Sequence, residues 1–158
     1  MNSLLEIHRN RQRLDALFRH YKDIENIGND ELNSHYAGYL CVRVSGYLET
    51  SIKLLLFAYC ENKANDLVAA FVDSHLQGLT NVKEEKLRKI LGAFSRDWAE
   101  KFSQMIDEEH KNAFDSIVVN RNAIAHGKNN SMTYVRVKRY YDLINQALAI
   151  LKTEILKL

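Results

Sequence analysis

The sequence predicts an all-α fold, a single-domain antiparallel bundle of about five to seven helices spanning residues 1–158, on three observations. First, the 158 residues contain no proline and only six glycines, where average usage of about 5% proline predicts roughly eight. Proline breaks helices and marks turns and strand edges, so its absence favours long uninterrupted helices. Second, apolar residues recur at spacings of three and four along most of the chain. Third, alternation at period two is missing, and no Asn-Gly or Asp-Gly turn separates two β-rich runs. The nearest exception, Thr133–Val137, is absorbed by the apolar stripe of the last helix.

Each helix is read from its own stripe. Leu14, Leu17, Phe18, Tyr21 and Ile24 define the first, which ends near Gly28-Asn29-Asp30. The second is long and carries Leu40, Val44, Tyr47, Leu48, Ile52, Leu55, Leu56 and Tyr59 on one face. Gly38, Ser45 and Gly46 lie on or beside that face, where small residues let another helix approach. A shorter helix is marked by Leu67, Val68, Phe71, Val72, His75, Leu76 and Leu79, with Gly78 or Asn81 as its stop. Lys83–Phe94 and Arg96–Ile106 read as two short helices. Asp107 is the expected N-cap of the next, with Glu108 and Glu109 in the first turn, where negative charge suits the helix dipole. This helix should run to His126 and stop at Gly127 in the left-handed conformation. The final stripe runs from Val137 through Tyr141, Ile144, Leu148 and Leu151 to Leu158.

Composition excludes several classes of protein. An apolar fraction of 46% rules out intrinsic disorder. Neither G-x-G-x-x-G nor G-x-x-x-x-G-K-[ST] occurs, which argues against a phosphate-loop enzyme. Cys41 and Cys60 stand alone in apolar runs, form no C-x-x-C pair, and read as reduced core residues. No metal or other cofactor is called for. The chain has no apolar segment suited to a secretory signal or a membrane span, so a soluble cytoplasmic protein with no membrane partner is expected. The net charge of +2 predicts no particular partner, but its distribution is uneven. Between Asn120 and Tyr140 the charged residues are Arg121, Lys128, Arg136, Lys138 and Arg139, with no Asp or Glu.

That stretch contains a group of residues that a plain bundle does not explain. Phe114, Ile117, Val118, Arg121, Ile124 and Ala125 share the buried-face spacing, so Arg121 occupies or borders an apolar stripe. A buried guanidinium requires a partner, because an unpaired buried charge costs several kcal/mol. Asn122 and His126 are four residues apart and can touch. One helix end therefore offers a permanent cation, an amide and a titratable imidazole. These suit RNA cleavage by 2′-hydroxyl attack: His moves a proton near neutral pH, and Arg stabilises charge on the phosphate oxygens. A purely structural reading stands beside it, in which Arg121 pairs with a core carboxylate, Asn122 bonds His126, and the group merely ends a helix.

Arg121-Asn122-Ala123-Ile124-Ala125-His126, closing a penultimate helix and followed by one long helix, resembles the R-x4-6-H motif of the HEPN superfamily. The resemblance implies a metal-independent endoribonuclease, often a toxin or abortive-infection effector in anti-phage defence, working as a homodimer with two motifs facing each other. It gives Arg121 the phosphate, His126 the proton and Asn122 a supporting role. It also implies an acidic residue on an earlier helix, for which Glu49 is the candidate, paired with Arg121; an i,i+4 pair of Glu49 with Lys53 is the plainer alternative. In family members controlled by a nucleotidyltransferase antitoxin the motif continues R-x4-H-x-Y. Here Lys128 replaces that tyrosine, so an antitoxin or nucleotidyltransferase partner would act without this modification target. A non-catalytic helical module binding RNA, a nucleotide or a protein is the second reading of the same group.

Lys128, Arg136, Lys138 and Arg139 are the candidate RNA-binding cations. Tyr134, Tyr140 and Tyr141 are interleaved with them and could stack bases; core packing accounts better for Tyr140 and Tyr141, while Tyr134 stays open. His75, on an apolar stripe, reads as a satisfied core residue.

Overall fold

The computed structural model describes residues 3–158, which form seven α-helices. These are α1 (Ser3–Asn26), α2 (Asp30–Lys63), α3 (Asp66–Leu76), α4 (Glu84–Phe94), α5 (Arg96–Met105), α6 (Glu108–Ala125) and α7 (Tyr134–Ile150). There is no β-strand among the described residues. α1 and α2 form one antiparallel hairpin and α6 and α7 another, and α2 packs against α1, α3, α6 and α7. The turns of both hairpins lie at the same end of the bundle, where Tyr21 meets Tyr134 and Gly38 meets Ile124.

Local chemistry explains the boundaries. Gly28 turns the first hairpin at φ +70°, a conformation that costs an L-residue with a side chain roughly 1–2 kcal/mol. The Asn29 side chain then accepts from Leu32 N–H at 3.0 Å and caps α2. Asn65 and Thr133 cap α3 and α7 in the same way.

The stripe of α2 is the axis of the core: Leu40, Val44, Leu48, Ile52 and Leu56 are completely buried. Around it close Leu14 and Phe18 of α1, Phe114 and Ile117 of α6, and Val137 and Ile144 of α7. Each such side chain contributes about 1.5–3 kcal/mol on burial. At Gly38 the backbone of α2 comes close to α6, where a Cβ would lie 3.5 Å from Ile124 Cδ1. The Cys41 thiol lies 3.6 Å from the Ile117 carbonyl of the same helix. Burial pushes that thiol up to about 12 and raises Cys60 as well, so neither is a nucleophile at neutral pH.

The structure corrects three expectations. The α3 stripe does not bury as expected: Leu67 and Phe71 are 83% and 62% exposed, and only Ala69 and Leu76 of that helix enter the core. His75 is likewise exposed, with its ring against Phe71 and Nδ1 at 3.1 Å from the Phe71 carbonyl. The last helix changes pitch after Ile150 into a π-helical turn over Leu151–Ile155, although Leu151 and Ile155 stay buried. No helix among the described residues is long and apolar enough to cross a membrane.

Candidate active site

α6 is fixed at both ends. At its start the Asp107 carboxylate accepts from Glu109 and His110 N–H and caps the helix, and His110 Nδ1 lies 2.7 Å from Asp107 Oδ1. The bond from the His110 side chain is the main reason the Asp107 carboxyl is held below its usual range. His110 Nε2 lies 3.1 Å from Gln146 Oε1, joining α6 to α7. At the other end, Lys128 N–H donates to Ala123 O at 2.8 Å and Gly127 N–H to Ile124 O at 3.1 Å. With Gly127 at φ +65°, this is a Schellman cap. It makes His126 the C-cap residue and presents its imidazole to solvent.

Arg121 is half-buried one turn earlier, and its Nη1 donates to Asn122 Oδ1 at 3.0 Å. Among the described residues no carboxylate lies within ion-pair distance of this guanidinium. The amide oxygen of Asn122 is therefore engaged by Arg121, while the His126 side chain has no hydrogen-bond partner among the described residues. The site thus has a cation oriented by a neutral amide and an unencumbered imidazole, both at one helix end. A guanidinium partnered only by an amide retains its full charge for an incoming phosphate.

Glu49 is not the partner of Arg121. Its Oε1 accepts from Asn81 N–H at 2.8 Å, tying down a residue at φ +53° in the loop before α4. The contacts Gly38–Ile124 and Cys41–Ile117 set Arg121 beside the 38–41 level of α2. Glu49 lies about 12–16 Å farther along that helix, at 1.5 Å per residue. The alternative pair with Lys53 is absent as well, since Lys53 Nζ donates to Gln77 O at 3.0 Å. Glu49→Ala is accordingly expected to cost about 1 kcal/mol in urea unfolding and to leave any RNA cleavage rate at the wild-type value.

Asn120, which periodicity alone does not single out, holds the segment that follows the motif. It is buried, its Nδ2 donates to Ser116 O at 2.8 Å, and its Oδ1 accepts from Ser131 N–H at 3.0 Å. The available signal was a polar side chain one position before the motif, just ahead of a loop that needs anchoring.

The four candidate RNA-binding cations are not equivalent. Lys128 is exposed in the loop and makes no side-chain bond among the described residues. Arg136 donates to Ser131 O at 3.0 Å, Lys138 pairs with Asp142, and Arg139 pairs with Glu109. Tyr134 stacks on Tyr21, with ring centroids 3.7 Å apart. Tyr141 is buried and bonded to Asp15, while Tyr140 is buried against the core. No three His, Cys, Asp or Glu side chains gather into a metal cluster among the described residues.

The described residues form seven helices without a strand, with Arg121 and His126 closing the penultimate helix, an arrangement that resembles the HEPN superfamily. The chain belongs to this family: the model described as RiboL-PSP-HEPN matches residues 8–157. No curated protein matches the chain. No solved structure matches it either.

Proposed function

We propose that this chain is a metal-independent endoribonuclease acting as a toxin or anti-phage effector, with Arg121 and His126 at its reactive centre. The carrying observation is the half-buried Arg121 guanidinium, oriented by Asn122 and unpaired with any described carboxylate, at the same helix end as an exposed imidazole. In the proposed reaction the 2′-hydroxyl oxygen attacks the adjacent phosphorus as the bond to the 5′-oxygen breaks. One imidazole accepts the hydroxyl proton, and a protonated imidazole donates to the leaving oxygen. Arg121 stabilises charge on the non-bridging oxygens. The products are a 2′,3′-cyclic phosphate and a 5′-hydroxyl.

Separate acid and base roles call for two imidazoles, and each motif supplies one. The proposal therefore includes a homodimer whose two motifs share a cleft. The outer face of α2 supports this: Tyr39 and Val42 are exposed there, and nothing lies within 4 Å of where a Gly46 Cβ would project. Gly38, in contrast, is already packed against α6. Within the toxin reading, an antitoxin partner would restrain the enzyme by a route other than modification of position 128. Incubation of labelled RNA with the purified chain in EDTA tests the proposal. Cleavage is the expected result, and intact RNA with a folded, dimeric protein would overturn it.

A further inference from the structure

The groove between α1 and α7 has features that neither the motif nor the core requires. The two helices meet there through rings: Phe18 stacks on Tyr141 at 4.7 Å, and Tyr21 on Tyr134 at 3.7 Å. Large side chains hold the helices apart and leave an open cavity of about 480 Å3, lined by Asp15, Phe18, Arg19, Lys22, Tyr134 and Lys138. That volume falls within the range of small-molecule sites, about 300–1,000 Å3. Tyr134 begins the helix that follows the motif loop, so the cavity lies at the same end of the bundle as His126.

The lining combines three kinds of recognition. Arg19 and Lys22 are exposed and form no ion pair among the described residues. Lys138 reaches 6.0 Å from the Phe18 ring centroid while paired with Asp142. Tyr134 supplies a half-buried aromatic wall. Asp15 uses Oδ1 to accept from the Tyr141 hydroxyl at 2.6 Å, which leaves Oδ2 free to accept from a ribose hydroxyl or a base N–H. The Asp15–Tyr141 bond separates this cavity from a second one of about 300 Å3 farther along α1. Unpaired cations beside an aromatic wall at the motif end are the features that hold a single nucleic-acid strand.

We propose that the α1/α7 groove is an RNA subsite that binds a nucleotide of the strand flanking the scissile bond. Tyr134 packs the base, Asp15 takes a ribose or base hydrogen, and Arg19 and Lys22 hold phosphates. This deepens the ribonuclease reading, on which its place beside the scissile bond rests, but binding is measured separately from cleavage.

The test uses a fluorescein-labelled oligouridylate and the full chain carrying His126→Ala, so that binding is read without turnover. Adding Arg19→Gln with Lys22→Gln should weaken binding about tenfold. It should also make the slope of log K against log salt shallower by about 1.4, at about 0.7 for each phosphate no longer neutralised. A charge-matched control, Arg9→Gln with Lys89→Gln, should retain the parent slope. Tyr134→Leu should weaken binding about tenfold with the salt slope unchanged. Parent affinity and slope in Arg19→Gln/Lys22→Gln, in a protein that melts like its parent, would overturn the proposal. So would binding of uridine monophosphate with no binding of the oligomer, because the cavity would then serve a free nucleotide. If the groove variants lose binding but the wild-type chain never cleaves RNA, the ribonuclease reading fails and the subsite stands.

Discussion

His126→Ala is expected to lower RNA cleavage by about 10²–10⁴-fold, the range for loss of a general acid or base, while thermal unfolding stays at the wild-type temperature. Both halves follow from its position. The imidazole is exposed at a helix C-cap and bonds to nothing among the described residues, so its removal leaves the packing intact. The Schellman cap survives because it uses backbone groups of Ala123, Ile124, Gly127 and Lys128. A folded His126→Ala protein that cleaves at the wild-type rate would contradict the assignment.

Arg121→Ala should reduce cleavage by about 10²–10³-fold, as expected when a preorganised donor to the developing phosphate charge is removed. Its structural cost should be small. A buried ion pair cut on one side costs about 3–5 kcal/mol, but Arg121 is half-buried and its bond is to a neutral amide. Unfolding in urea measures the stability, and single-turnover cleavage the function. Equal mixing of wild-type and His126→Ala subunits then probes the shared cleft. Half of the dimers are mixed and hold one imidazole where the reaction uses two, so only the wild-type homodimers should cleave and activity should fall to about a quarter of wild type. Activity at about half of wild type after verified subunit exchange would place a complete site on each chain.

The sequence reveals most where the physics is local. The caps at Asp107 and Gly127 are decided within a few residues, and both form as read. The motif is equally visible, because Arg121 on an apolar stripe is conspicuous in any helical reading. Long-range partners are not. Arg121 is expected to find a carboxylate and has an amide; Glu49 is a candidate for that partner but caps Asn81 far along α2. Which side chain meets which across two packed helices depends on their axial register, and α2 has 34 residues along which to slide. The α3 stripe fails for another reason. Helical periodicity marks a face as apolar but cannot say whether this chain covers it, and Leu67 and Phe71 remain exposed. Asn120 escapes a sequence reading because its role lies in holding Ser131, a loop interaction that periodicity does not register.

The chemical identity of the RNA ends left by the wild-type chain in EDTA tests the proposed reaction most directly. A 2′,3′-cyclic phosphate on one fragment and a 5′-hydroxyl on the other are expected, because the 2′-hydroxyl is the proposed nucleophile and His126 and Arg121 the proposed catalytic groups. Fragments bearing a 3′-hydroxyl and a 5′-phosphate, or cleavage that appears only when a divalent ion is restored, would contradict it.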